Sequence, residues 1–145
     1  CNDPMLHEKH IRVFQSLPNP VNVLTTHSAW LMSSLVMGAN GLLSGAGSVI
    51  APLQVRLFNA IKNNNLKEAK DINDKIFPLV QLFYKPPFLD MHNRMKETLV
   101  ILNAMKKAVV RPPLMKLPFE EIEELKNTVN DINLDNKLNF VKIVV

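Results

Sequence analysis

GANGLLSGAG, residues 38–47, contains all 4 glycines of a 145-residue chain: Gly38, Gly41, Gly45 and Gly47. Backbone freedom is concentrated in one place, and what needs it there decides the fold. A phosphate-cradling loop of the form GxxxxGK[ST] is not present. The dinucleotide fingerprint GxGxxG fails as well, because Ile50 stands where the third glycine would be. GLLS is instead a short apolar run flanked by glycines and followed by a helical pattern, which is the form of a buried parallel strand. The stretch reads as strand, glycine loop, helix.

Composition narrows the class. A chain of this length is one domain in size and long enough for a core, and 47% hydrophobic with 21% charged residues is ordinary for a globular protein. The longest apolar run is interrupted by Ser33, Ser34, Gly38 and Asn40, so no membrane span is expected. The formal net charge is +4, but lysines alternate with acids, as in KNNNLKEAKDINDK, and no basic stripe with interleaved aromatics is present. Nucleic acid is therefore not an expected partner. The single cysteine excludes an internal disulfide, which fits a reducing cytosol, and a cytoplasmic location is expected. That cysteine is Cys1, with no signal-like segment before it, and the chain is expected to start inside a longer one.

Outward from the glycine cluster, the chain alternates. Asp3 and Pro4 form a helix start, and Leu6, His10, Ile11, Val13, Phe14 and Leu17 keep helical spacing up to LPNP, where Pro18 and Pro20 stop it. VNVLT, residues 21–25, is a strand; SAWLMSSLVMGA is a short helix ended by Gly38; GLLS is the second strand; SVIAPLQVRLFNAIKNN is a helix. Helix, strand, helix, strand, helix at short spacing indicates α/β architecture with parallel strands. The remainder is helical. Leu66 to Phe83 form one apolar face, with Pro78 expected to kink it; Met91, Met95, Leu99 and Leu102 form a second; Phe119, Ile122, Leu125, Val129 and Ile132 form a third. The tail KLNFVKIVV is a strand or a disordered end. Two parallel strands leave unpaired edges, so further strands are expected from an upstream part of the polypeptide or from a partner chain.

The segments VNVLTTHSAWLMSSLVMGANGLLSGAGSVIAPL, NNNLKEAKDINDKIFPLVQLF and MKETLVILNAMKKAVVRPPLMKL carry a resemblance. The chain resembles, over roughly residues 1–125, the C-terminal half of the dihydrodipicolinate synthase and N-acetylneuraminate lyase family, with Lys96 followed fifteen positions later by Arg111 and Pro112 as in that family. The resemblance implies the C-terminal part of a (β/α)8 TIM barrel, with VNVLT and GLLS as its seventh and eighth strands. Residues 1–62 would be the barrel portion, 63–132 a helical extension and 133–145 an unassigned tail. It implies a lyase or aldolase acting on pyruvate or another 2-keto acid through a lysine Schiff base, with no cofactor and no metal. The lysine, the proton-shuttling tyrosine and the carboxylate-binding loop would lie upstream of Cys1, so the chain alone is expected to be inactive.

Barrel chemistry sits at the C-terminal ends of strands. The resemblance therefore makes Thr26, His27, Ser28, Leu43 and Ser44 the expected substrate-binding residues, Thr26 and Leu43 matching positions whose carbonyls border the pyruvate-derived part of the substrate. Thr26 replaces a glycine often found in the family. It also implies a homo-oligomer, a tetramer in many members, and a missing N-terminal barrel half supplied in cis or in trans. The alternatives are a catalytically dead barrel homologue and a non-enzymatic helical binding or structural protein.

Other candidates have plainer explanations. Lys96 reads as a partly buried structural lysine on an outer helix. His7 and His10 read as surface histidines, because no carboxylate or cysteine completes a ligand set. Most methionines read as helix-packing residues, and EEIEEL as the acid-rich first turn of a helix.

Overall fold

A computed structural model describes residues 3–134. The chain divides into two compact units, Cys1–Phe77 and Pro78–Val145. The expectations for Cys1 and for the tail KLNFVKIVV lie outside the described residues.

In the first unit, helix α1 (Pro4–Gln15) starts where the sequence places it: Asp3 Oδ1 accepts hydrogen bonds from the amides of Met5 at 2.9 Å and Leu6 at 3.2 Å. This satisfies two of the amides that a helix N-terminus leaves without an intrahelical partner. Its burial differs from the sequence expectation. Ile11 is buried, but Leu6, Val13, Phe14 and Leu17 are exposed, and His7, read as a surface residue, is only 7% exposed. Spacing identifies an apolar face but not what covers it.

Strand β1 (Leu24–Thr25) pairs in parallel with β2 (Gly41–Leu42), Leu24 opposite Gly41 and Thr25 opposite Leu42. Both are shorter than VNVLT and GLLS, because regular pairing covers only this register. Hydrogen bonds beyond the strands prolong the contact: Asn40 N to Val23 O at 2.9 Å and Leu43 N to Thr25 O at 2.8 Å. Asn40 also supplies a side-chain substitute for a ladder bond, its Oδ1 accepting from Val23 N and from Gln15 Nε2, both at 2.8 Å.

Between the strands the chain forms a 3-10 turn at Ser28–Trp30 and helix α2 (Leu31–Val36). Gly38 ends this segment with φ of 104°, in the region that favours glycine, so its presence there is conformational. Helix α3 (Gly47–Lys62) follows β2; its backbone leaves helical geometry at Ile50, two residues before Pro52. The core of this unit includes Ile11, Leu31, Leu35, Val49, Ile50, Leu53 and Leu57. The order helix, strand, helix, strand, helix is thus present, with a small sheet and a largely helical chain.

Helix α4 (Leu66–Tyr84) continues through Pro78. In the second unit, a 3-10 turn at Phe88–Asp90 leads into α5 (Met91–Ile101), and α6 (Phe119–Asp131) packs against α5. Leu125 and Val129 bury the inner stripe of α6, whereas Phe119, expected on that face, is 71% exposed at the helix start. Among the methionines, Met95 is buried and Met115 is exposed. EEIEEL opens α6 as expected: Glu121 pairs with Arg94 and Lys85, and Glu124 with Lys85. No described helix is long and apolar enough to cross a membrane.

Candidate functional site

The parallel pairing of β1 and β2 points both C-terminal ends the same way, and the residues that follow each strand converge. Ser28 Oγ and Ser44 Oγ are in direct hydrogen-bond contact. Gln54, from the second turn of α3, reaches both: Nε2 donates to Ser44 Oγ at 3.0 Å and lies 3.5 Å from Ser28 Oγ. Gly47 N donates to Ser44 Oγ at 3.2 Å. Ser44 therefore receives two nitrogen donors, and either serine hydroxyl can donate in the contact between them. Gln54 is 1% exposed, and an amide held so far from water requires such partners. A Cβ on Gly47 would stand 3.3 Å from Gln54 Oε1, so this glycine leaves room for the amide.

One level deeper, Thr25 Oγ1 donates to Ser34 Oγ at 3.1 Å, which anchors the end of β1 to α2. His27 stacks on Trp30, ring centroids 4.9 Å apart at 22°. Burial holds the His27 imidazole below its ordinary value of 6.5 and favours the neutral ring. Thr26 is exposed, and Leu43 presents 70% of its surface.

Of the five residues singled out from the sequence, Ser28 and Ser44 are brought into contact, His27 and Thr26 flank Ser28 in the same loop, and Leu43 precedes Ser44. The residue that sequence reasoning missed is Gln54. A glutamine on an amphipathic helix carries no spacing signal of its own; the only hint was the glycine at position 47, whose partner could not be read. The cluster offers hydroxyls, an amide and a neutral imidazole. Groups of this kind donate and accept hydrogen bonds, but the segments 24–28 and 41–47 contain no amine nucleophile.

Elsewhere, Lys96 Nζ donates to the Val109 carbonyl at 2.7 Å, so this lysine fastens the loop after α5 as a structural residue. Among the described residues no group of three or more His, Cys, Asp or Glu side chains is placed to hold a metal ion.

The family model described as the dihydrodipicolinate synthetase family matches residues 4–132. The chain belongs to this family. It is similar to 4-hydroxy-tetrahydrodipicolinate synthase of Oceanobacillus iheyensis, 21% identical over 125 residues, a match covering 86% of this chain and 41% of that protein. Among solved structures, the dihydrodipicolinate synthase of Bacillus clausii superposes with a TM-score of 0.80 at 22% identity, covering 92% of this chain and 45% of that one. YagE, a prophage protein of the dihydrodipicolinic acid synthase family from E. coli K12 solved in complex with pyruvate, superposes with a TM-score of 0.81 at 19% identity, covering 92% and 44%. The chain thus shares a fold with part of these proteins, and spans about two-fifths of the length of the curated relative it matches.

Proposed function

We propose that the chain is the C-terminal portion of a Schiff-base lyase or aldolase acting on pyruvate or a related 2-keto acid. Residues 1–62 form the end of a (β/α)8 barrel with β1 and β2 as its seventh and eighth strands, and residues 63–132 form the helical extension. The observation that carries this reading is the convergence of Ser28, Ser44 and Gln54 at the C-terminal ends of two parallel strands, the place where barrel enzymes assemble their sites. Family membership supplies the reaction class.

In this reading the amine that forms the iminium lies on a lysine preceding Cys1 in the complete protein, or on a partner chain. The iminium nitrogen draws electrons from the adjacent carbon, so no metal or organic cofactor is needed. The residues of this chain bind and orient: Thr26, His27, Ser28, Leu43 and Ser44 border the 2-keto acid, and Gln54 fixes the two serines. The apolar surface on Val13, Phe14, Leu17, Leu24 and Leu43 is what the rest of the barrel covers, in cis or in trans. A cytoplasmic, self-associating enzyme, a tetramer as in many members, completes the proposal.

Borohydride reduction in the presence of labelled pyruvate tests it. The 145-residue chain and the product of the complete reading frame are treated in parallel and mapped by peptide. The expected result is label on a lysine upstream of Cys1 in the longer product and none on the short chain. Absence of label on both would remove the Schiff-base assignment and leave a catalytically dead homologue. Label on the short chain would overturn the predicted inactivity.

A further inference from the structure

A cavity of about 190 Å³ in the first unit is lined by His7 of α1 and by Trp30, Ser33, Ser34 and Met37 of the α2 segment. Two observations make it more than a packing defect. His7 is 7% exposed, and its Nε2 has no hydrogen-bond partner among the described residues. A buried polar atom without a partner loses its hydration with nothing in return, which costs more than the net gain of an ordinary hydrogen bond. Second, the lining contains no Asp, Glu, Lys or Arg. An ion placed there would lose hydration against no opposite charge, so the guest that fits is uncharged.

Size and wall chemistry narrow the guest further. An engineered apolar cavity of roughly 150 Å³ accepts benzene, so this one has room for a single six-membered ring with one substituent. Trp30 offers an indole whose orientation is held by the stack with His27, and Met37 offers a polarisable thioether, both good partners for an aromatic ring. Ser34 Oγ accepts from Thr25 Oγ1 and Ser33 is exposed to water, so the imidazole Nε2 is the buried polar atom of the wall that lacks a partner. A lone water could meet Nε2 but would leave the indole and thioether walls without contact.

We propose that this cavity binds a small uncharged hydroxyaromatic molecule, its hydroxyl hydrogen-bonded to His7 Nε2 and its ring against Trp30 and Met37. The site is separate from the cluster of Ser28, Ser44 and Gln54 and does not depend on the reaction proposed above. Burial holds the His7 imidazole below its ordinary value, so at neutral pH the ring is neutral and Nε2 can accept the hydroxyl proton's hydrogen bond.

Trp30 is the chain's single tryptophan, so its emission reports on the cavity directly. The full chain is titrated with phenol and, in parallel, with benzene, following Trp30 fluorescence and the ¹⁵N resonance of His7 Nε2. The expected result is a saturable change with phenol, affinity for phenol about three- to tenfold above that for benzene from one neutral hydrogen bond, and a shift of the His7 resonance with phenol alone. In His7→Phe the two affinities become equal. Quenching that rises linearly without saturation, equal affinities in the unaltered chain, or saturation with an unmoved His7 resonance would each overturn the proposal. If His7→Phe fails to fold, the phenol and benzene comparison and the His7 resonance decide on the unaltered chain.

Discussion

Arg94 Nε lies 2.5 Å from Glu121 Oε1, and the arginine side chain is wholly excluded from solvent while the glutamate remains 17% exposed. The same guanidinium donates to the carbonyls of Lys85 at 2.6 Å and of Phe83 and Pro87 at 3.3 Å. One side chain thus satisfies carbonyls around the end of α4 and ties them to α6, a task that suits a rigid planar fork of donors. Arg94→Met leaves the carbonyls without their donor and Glu121 with Lys85 alone, and stability should fall by about 3 kcal/mol. Arg94→Lys should recover little, because an ammonium reaches fewer of these acceptors. Urea denaturation midpoints measure both; a Lys variant as stable as the parent would contradict the role assigned to the fork.

Gly47 and Gln54 should be energetically coupled. Replacing glycine by alanine where the backbone suits both ordinarily gains about 0.4–1 kcal/mol through the unfolded chain. Here the new Cβ would stand 3.3 Å from Gln54 Oε1, so Gly47→Ala in the parent is expected to gain nothing or to destabilise. In a Gln54→Ala background the obstruction is gone and the ordinary gain should return. A double-mutant cycle by chemical denaturation should show a coupling of at least about 0.5 kcal/mol; strict additivity would mean that the amide simply moves aside.

Gly38 is conformational in a different sense. A Cβ there would meet only Gln15 Oε1 and Ile11 Cγ2 at 3.8 Å, ordinary contacts, so the obstacle is the backbone at φ of 104°. Gly38→Ala is expected to cost about 1–2 kcal/mol. Gly38→Asn should cost less, since asparagine tolerates positive φ. Equal thermal midpoints for the two variants would refute the ranking.

Stability should decline on mild acidification. Burial lowers the imidazoles of His7 and His27 in the folded chain from 6.5. As pH falls through that value the unfolded chain takes up protons that the folded chain refuses, so folding free energy is lost between 6.5 and the lower folded values, and is unaffected above. Urea midpoints from about pH 7.5 down to about pH 5, above most carboxylate titration, should trace this decline. His7→Gln should flatten it in part, leaving the share due to His27. A parent curve that is level across this range would exclude the effect.

The alternation of helices and strands was legible because apolar spacing and the placement of glycine and proline are local signals. The glycine cluster located β2 and its loop for the same reason. Burial of α1 was not legible: the spacing of Leu6, Val13 and Phe14 marks an apolar face, yet in the structure His7 and Ile11 are the residues enclosed, because enclosure depends on what lies opposite. Arg94 and Gln54 escaped notice on the same grounds. Their burial is tolerable only because partners distant in sequence meet their polar atoms, Glu121 and the carbonyls after α4 for one, Ser28 and Ser44 for the other. Pairing of that kind leaves no period in a single chain. At the candidate site the sequence supplied the hydroxyls and the imidazole but not the amide that orders them.

The short β1 and β2 ladder bears on how the molecule behaves when concentrated. Among the described residues the sheet has these two strands, with exposed Leu24 and Leu43 beside them, and a strand without a neighbour on one side offers main-chain donors and acceptors to an extended segment. Recruitment along such a flank is nearly blind to sequence. Dilution keeps the flanks hydrated, whereas crowding lets two copies share them, and the 145-residue chain prepared without the rest of the proposed barrel is expected to turn cloudy with rising protein concentration before the helices begin to melt.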